Sequence, residues 1–235
     1  MPIESESFLN NLLSYRINKS INILESLNKL CDTLYLSVSF GKDSLVLYDI
    51  AKKVFPNIHC YFLKSEETYL MYDYERVIQY YLAQGMNLTI IETNRLSEND
   101  FDWEKARKAG NKDFDLMPKN YEAYLLGLRK EESKTRFYSL TRKHNKIFEG
   151  IHKLNNGKIR CCPLLEWKHE EILLYLNMNK LPYLSVYINN SSARTTARLT
   201  GDACRNNTMQ QLRSHNLSNY NHLVKNINGL RKEVK

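Results

Sequence analysis

The densest chemistry in this sequence lies in one short stretch, Ser39-Phe40-Gly41-Lys42-Asp43-Ser44. Serine hydroxyls donate to oxyanions, a lysine offsets charge developing on a phosphate leaving group, and a glycine lets the backbone come close to a phosphate. Asp43 has two readings, a ligand for Mg²⁺ or a cap on the helix that follows. The flanks say how the cluster must be held. Leu34, Leu36 and Val38 alternate, which predicts a strand to about Ser39, and Leu45, Val46, Tyr48, Ile50, Ala51 and Val54 recur at helical spacing. A strand feeding a helix through a polar turn gathers free N–H groups and the positive end of a helix dipole at one point, where an anion binds.

Two common phosphate motifs do not fit the spelling. A P-loop, GxxxxGK[ST], would need glycine where Leu36 stands and a hydroxyl where Asp43 stands, and the dinucleotide fingerprint GxGxxG is absent. The surrounding pattern is β-α-β-α-β. Residues 5–31 predict helix before the sheet, Ile58–Leu63 a second strand, Tyr69–Gln84 one long helix closed by Gly85, and Leu88–Thr93 a third strand. Residues 94–120 are polar and read as a loop with short helices, a flap. Tyr124–Leu128 predicts a fourth strand, Thr135–His144 a helix, and 147–162 a hairpin about Asn155-Asn156-Gly157. A helix from Lys168 to Met178 and a weak one from Asn206 to His215 close the chain. The fold class is α/β: a Rossmann-like parallel sheet with helices on both faces and a small helical C-terminal region. Residues 1–160 form the nucleotide domain and 161–235 a substrate or partner region, weakly separated from it.

In such a sheet, ligands bind beyond the carboxyl ends of the strands. Three polar clusters fall there and would share one crevice: Ser39–Ser44, Ser65–Thr68 and Gly127–Arg136.

SxGKDS resembles the PP-loop of the adenine nucleotide alpha hydrolases, the N-type ATP pyrophosphatase superfamily. Gly127-Leu128-Arg129-Lys130-Glu131-Glu132-Ser133-Lys134-Thr135-Arg136 is similar to the GxRxxES-x-x-R segment of that superfamily's phosphoadenosine phosphosulfate (PAPS) reductase-like branch. Cys162-Pro163-Leu164-Leu165-Glu166-Trp167, with Leu181-Pro182-Tyr183 beyond a helix, is similar to its PLxxW…xPY region. The resemblance covers residues 34–187. It implies that Ser39, Phe40, Gly41, Lys42, Asp43, Ser44, Glu66 and Gly127 hold an adenine nucleotide, ATP with Mg²⁺. Lys42, Asp43, Arg129 and Arg136 would act on its phosphates. Ion pairing of the arginines with Glu131 and Glu132 is the plainer alternative.

The departures set the ranking of activities. Reductases of the branch carry a catalytic cysteine in a Glu-Cys-Gly-Leu-like tail, whereas this sequence reads GLRKEVK and its last cysteine is Cys204. Their loop usually lacks Lys-Asp-Ser. Lys64-Ser65-Glu66-Glu67 stands where relatives have Asp-Thr-Gly. The expectation is therefore an ATP pyrophosphatase that adenylates an acceptor, in sulfur transfer or nucleic-acid modification. A sulfonucleotide reductase with Cys162 or Cys204 as nucleophile ranks second, and a non-catalytic nucleotide-binding subunit of a nucleic-acid modification complex third.

Five cysteines without a CxxC pair argue against a disulfide framework. Cys161, Cys162 and Cys204 are three candidate iron–sulfur ligands, but adjacent cysteines ligate one cluster poorly and four thiolates are the norm, so incidental thiols are favoured. A net charge of +8 admits a nucleic-acid partner, yet the lysines are spread along the chain and fit a solvated surface around a phosphate pocket. The segment Ser191–Gly201, rich in hydroxyls and arginines, is a candidate contact for a phosphate-bearing partner. A sulfur-donor protein partner and a homo-oligomer are both compatible with the sequence. A polar, acidic start and the lack of a membrane-length apolar run predict a cytoplasmic protein.

Overall fold

The computed structural model describes residues 2–93, 114–189, 209–214 and 216–226. A long helix α1 (Pro2–Asn28) leads into β1 (Leu34–Ser37), α2 (Lys42–Ala51), β2 (His59–Ser65), α3 (Glu66–Met71), α4 (Tyr74–Ala83) and β3 (Leu88–Thr93). Then come β4 (Ala123–Leu125), α5 (Lys134–Thr141), β5 (Lys146–Phe148), β6 (Ile151–Lys153), β7 (Ile159–Cys161), α6 (His169–Met178), α7 (Val186–Asn189) and α8 (Leu217–Asn226).

The strands form one sheet in the order β3-β2-β1-β4-β7-β6-β5. From β3 to β7 all neighbours are parallel, and β6 and β5 add an antiparallel edge. The predicted hairpin is the β6–β7 pair, turned at Gly157, whose φ of 83° is the left-handed value that glycine adopts freely.

Side chains alternate between two unlike faces. Leu36, Leu125 and Cys161 are register partners on one face, fully buried with Leu24, Leu45 and Ile50. Burying each such aliphatic side chain stabilises the fold by about 1.5–3 kcal/mol. On the other face the partners are Tyr35, Tyr124 and Arg160, and Arg160 bonds to Ser139 of α5. Helices therefore lie on both faces.

The core runs across residue 160. Trp167, Ile172 and Tyr175 are buried in the same cluster as Leu27 and Leu45, and β7 itself spans Ile159–Cys161. A second cluster of Met71, Met209, Leu212, Tyr220 and Leu223 docks the last described helices against α3.

The single long helix expected over 69–84 is two, α3 and α4, broken at Tyr72-Asp73. Asp73 leaves helical geometry and accepts hydrogen bonds from the backbone N–H of Ser185 (2.9 Å) and its hydroxyl (2.7 Å). The break is made by a partner more than a hundred positions away, so local periodicity does not reveal it. β4 is also shorter than expected, ending at Leu125. Most of the expected flap, all of Ser191–Gly201 and Cys204, and the ends of the 206–215 helix lie outside the described residues.

Candidate active site

The turn after β1 is closed by its own hydroxyls. Ser44 Oγ donates to the Gly41 carbonyl (2.9 Å) and accepts from the Ser39 N–H (3.2 Å), and the two serine hydroxyls lie 3.3 Å apart. Gly41 precedes α2 in extended geometry, so the N–H groups of Lys42, Asp43 and Ser44 open the helix without partners inside it. Phe40 has a φ of 53°, costly for an aromatic residue by about 1–2 kcal/mol. Its ring is fully buried, edge-on to Phe62 with centroids 5.1 Å apart, which outweighs that cost. Its ring is therefore closed to any ligand, which leaves only its backbone for the contact expected of Phe40.

Lys42 is 5% exposed, an unusual degree of burial for a lysine. Its Nζ donates to Asp43 Oδ2 at 3.0 Å and lies 5.1 Å from the centre of the Tyr187 ring. Asp43 therefore does not cap α2. Its other oxygen accepts from Arg129 Nε.

Arg129, 3% exposed, follows β4 and reaches sideways to the loop. Its Nη1 donates to Glu131 at 2.7 Å, its Nη2 lies 3.9 Å from Glu132, and Glu132 also pairs with Arg136. The result is an alternating ladder, Lys42–Asp43–Arg129–Glu131/Glu132–Arg136. The plainer alternative for the arginines, pairing with Glu131 and Glu132, is present, and Arg129 also lies buried against the loop. Arg136 is more open, and Ser133 caps its helix by accepting from the Arg136 N–H.

Gly127 is what lets this ladder close. A Cβ there would stand 3.0 Å from the Asp43 carbonyl carbon and from the Ser44 nitrogen, backbone atoms that cannot move aside cheaply. Gly127 thus packs directly against the head of α2, beside the loop where its nucleotide contact was expected.

The Cys162–Trp167 segment brings a third element to the crevice. Trp167 Nε1 donates to Ser20 of α1 (2.9 Å), Glu171 accepts from Arg16, and Tyr175 donates to Asp49 of α2 (2.6 Å). With α6 locked against α1 and α2, the His169 N–H donates to Glu131 at 2.6 Å. Burial, with Lys42 and Arg129 nearby, holds the His169 imidazole below its ordinary value. Neither His169 nor Tyr187 is apparent from the sequence. His169 is an unremarkable first residue of a helix, and Tyr187 is one of 16 tyrosines.

The metal expectations fit the geometry poorly. Asp43 has both oxygens committed to cations, and no group of three His, Cys, Asp or Glu side chains gathers among the described residues. Cys161 and Cys162 are fully buried at the end of β7. Burial pushes the Cys162 thiol up to about 12, and Cys161 is raised by burial as well, so both are protonated core thiols. As arranged, they do not fit an iron–sulfur cluster. Glu66 opens α3 at the carboxyl end of β2, and its side chain is outside the described set.

Residues 33–192 match the family described as phosphoadenosine phosphosulfate reductase domain. The chain belongs to that family. Among its relatives is the adenosine 5′-phosphosulfate reductase of Shouchella clausii, 31% identical over 180 residues, which cover 70% of this chain and 70% of the relative. That of Bacillus anthracis is 30% identical over 166 residues, 63% of this chain and 67% of the relative. The solved Candida glabrata FMN adenylyltransferase in complex with ATP is 18% identical, with a TM-score of 0.51 over 76% of this chain and 59% of that one, a likeness of fold. The two sequence relatives named for this PAPS reductase family member are thus reductases, the activity that the sequence departures ranked second. Among the described residues no helix is long and apolar enough to cross a membrane.

Proposed function

We propose that this chain is a sulfonucleotide reductase, binding adenosine 5′-phosphosulfate or its 3′-phosphorylated form and releasing sulfite. The observation that carries the reading is that relatives 30–31% identical over two thirds or more of their own length bear that activity's name, while the buried Lys42–Asp43–Arg129 ladder at the head of α2 suits a nucleotide phosphate under either activity. Under this reading Lys42 and Arg129 offset the charge that grows when the phosphate leaves.

Reduction of the sulfate group needs a thiolate nucleophile. Cys31, Cys60, Cys161 and Cys162 are buried and their thiols are raised by that burial, so we assign the role to the fifth cysteine, Cys204. The Cys204 thiolate attacks sulfur. The S–O bond to the phosphate breaks, its electron pair leaves with the nucleoside monophosphate, and a thiosulfonate forms on Cys204. A dithiol donor then attacks the Cys204 sulfur and expels sulfite, and closure of the donor's disulfide releases the Cys204 thiol. The two electrons gained by the sulfate sulfur come from the donor's thiols.

Incubation with adenosine 5′-phosphosulfate and no donor thiol should leave a sulfonate adduct on Cys204, seen by intact and peptide mass. Cys204→Ser should remove the adduct and Cys162→Ser should keep it. An adduct on Cys162, or turnover that survives Cys204→Ser, overturns the proposal.

One observation favours a second reading. Lys42, Asp43 and Ser44 together retain the spelling of a loop that cleaves ATP between the α and β phosphates. Under that reading, pyrophosphate release depends on Lys42 and not on Cys204.

A further inference from the structure

A second collection of cations lies at the other end of the sheet. The turn between β6 and β7 precedes β7, which runs parallel to β1, so it sits at the amino end of the parallel strands, opposite the Ser39–Ser44 loop. Here Ser139, Arg142, Asn145, His152, Lys153 and Arg160 are among the residues that line a cavity of about 540 Å³. None of them is an aspartate or glutamate. Arg142, Lys153 and Arg160 make no ion pair with a carboxylate among the described residues.

The floor of this basin carries unmet hydrogen-bonding capacity. His152 is 3% exposed, and its ring makes only a loose contact with the Arg142 backbone, which leaves its other nitrogen without a partner. Arg160 stands opposite it in the β6–β7 register. Arg160 Nη1 and Nη2 are held by the Ser139 hydroxyl (3.2 Å) and carbonyl (3.1 Å), while its buried Nε has no partner. A buried polar group left unpaired costs about 1–3 kcal/mol, so a His152 nitrogen and Arg160 Nε at one cavity mark a place that a ligand or ordered solvent satisfies. The rim is built. Lys153 N–H donates to the Asn145 carbonyl (2.8 Å) and Leu154 N–H to the Lys158 carbonyl (2.7 Å).

We propose that this basin is a second anion site, taking a phosphomonoester of about mononucleotide size, separate from the crevice at the Ser39–Ser44 loop. The chemistry follows from the lining. Arg160 and Arg142 offer planar donors that suit phosphate oxygens, Lys153 adds a charge at the rim, and His152 a further donor. Inorganic phosphate alone would leave most of the space empty, whereas the volume suits a small organic ligand. A free mononucleotide and the 5′-terminal phosphate of a single strand present the same group.

The test follows the His152 ring resonances by NMR in the full chain during titration with inorganic phosphate, AMP and short single strands bearing a 5′-phosphate or a 5′-hydroxyl. AMP should give a saturable shift at lower concentration than phosphate, and it should persist in Lys42→Ala. Arg160→Gln should weaken it by about tenfold, the loss of one charge-assisted contact. Because Arg160 is partly buried, the exposed pair Arg142→Ala and Lys153→Ala should also weaken binding while the circular dichroism spectrum is unchanged. A response to AMP alone assigns the site to free nucleotides, and one that extends to the 5′-phosphorylated strand alone among the strands assigns it to nucleic-acid ends. His152 resonances that do not move with AMP, equal binding of the 5′-hydroxyl strand, or full affinity in the rim double variant would overturn the proposal.

Discussion

The two ends of the sheet hold similar numbers of cations in opposite electrostatic conditions. At the carboxyl end, Lys42, Arg129 and Arg136 interleave with Asp43, Glu131 and Glu132, three of each sign. At the amino end, Arg142, Lys153 and Arg160 have no carboxylate among the residues that line their cavity. Buried charges without partners are expensive, so the crevice is preassembled by internal neutralisation, and under the proposed function an anion would enter it by exchanging with Asp43 or the glutamates. The crevice can discriminate, because only a ligand that offers more than those carboxylates displaces them. The basin has no such competitor and should accept simpler anions.

The comparison can be broken most severely at Lys42. Lys42→Ala should cut nucleotide turnover by about 10²–10³-fold, the usual cost of removing one donor aimed at developing charge, and should leave anion binding at the basin intact. Steady-state kinetics beside the His152 titration checks both halves. Next in size is Gly127→Ala. The added methyl meets the backbone of Asp43 and Ser44 at 3.0 Å, so unfolding in urea should show a loss of about 1–3 kcal/mol, with weaker nucleotide binding.

Asp43→Asn sharpens the contrast in a different way. Without the carboxylate, Lys42 and Arg129 lose their internal competitor, so inorganic sulfate should bind the crevice several-fold more tightly, while turnover falls because Arg129 loses the partner that aims it. Calorimetric titration with sulfate and a kinetic assay would separate the two effects. Unchanged sulfate affinity would mean that the ladder does not compete with ligand.

The smallest effect expected is on stability against pH. Burial, then Arg160, depresses His152, and burial, then Lys42 and Arg129, depresses His169. A folded value below that of the unfolded chain means that the unfolded state takes up the proton first. Stability is then full above about pH 6.5 and declines as pH falls through that value toward the folded one. His152→Gln and His169→Gln should each flatten the change in Tm between about pH 7 and about pH 5.5. An unaltered slope in both would show that other groups set it.

Legibility in the sequence follows the range of the interactions. Alternation in Leu34–Val38 and helical spacing after Leu45 are local, so β1, the turn and α2 could be read directly. The β6–β7 hairpin was visible through Asn155-Asn156-Gly157. The carboxyl-end rule for parallel sheets puts Arg129 beside the loop from sequence alone. What was hidden depends on distant partners: the break at Asp73 made by Ser185, the buried ring of Phe40 at positive φ, the approach of Gly127 to α2, and Tyr187 over Lys42. The basin was invisible for the same reason. Arg142, Lys153 and Arg160 are scattered among ordinary basic residues until β6 and β7 pair.

The account rests most directly on which product the crevice makes. The full chain should be supplied in parallel with adenosine 5′-phosphosulfate plus a dithiol and with ATP plus Mg²⁺, and sulfite and pyrophosphate measured together. The proposed reductase predicts dithiol-dependent sulfite that is lost in Lys42→Ala and in Cys204→Ser, with no pyrophosphate above background. Lys42-dependent pyrophosphate without sulfite, unaffected by Cys204→Ser, would contradict it and return the chain to the ATP-cleaving reading.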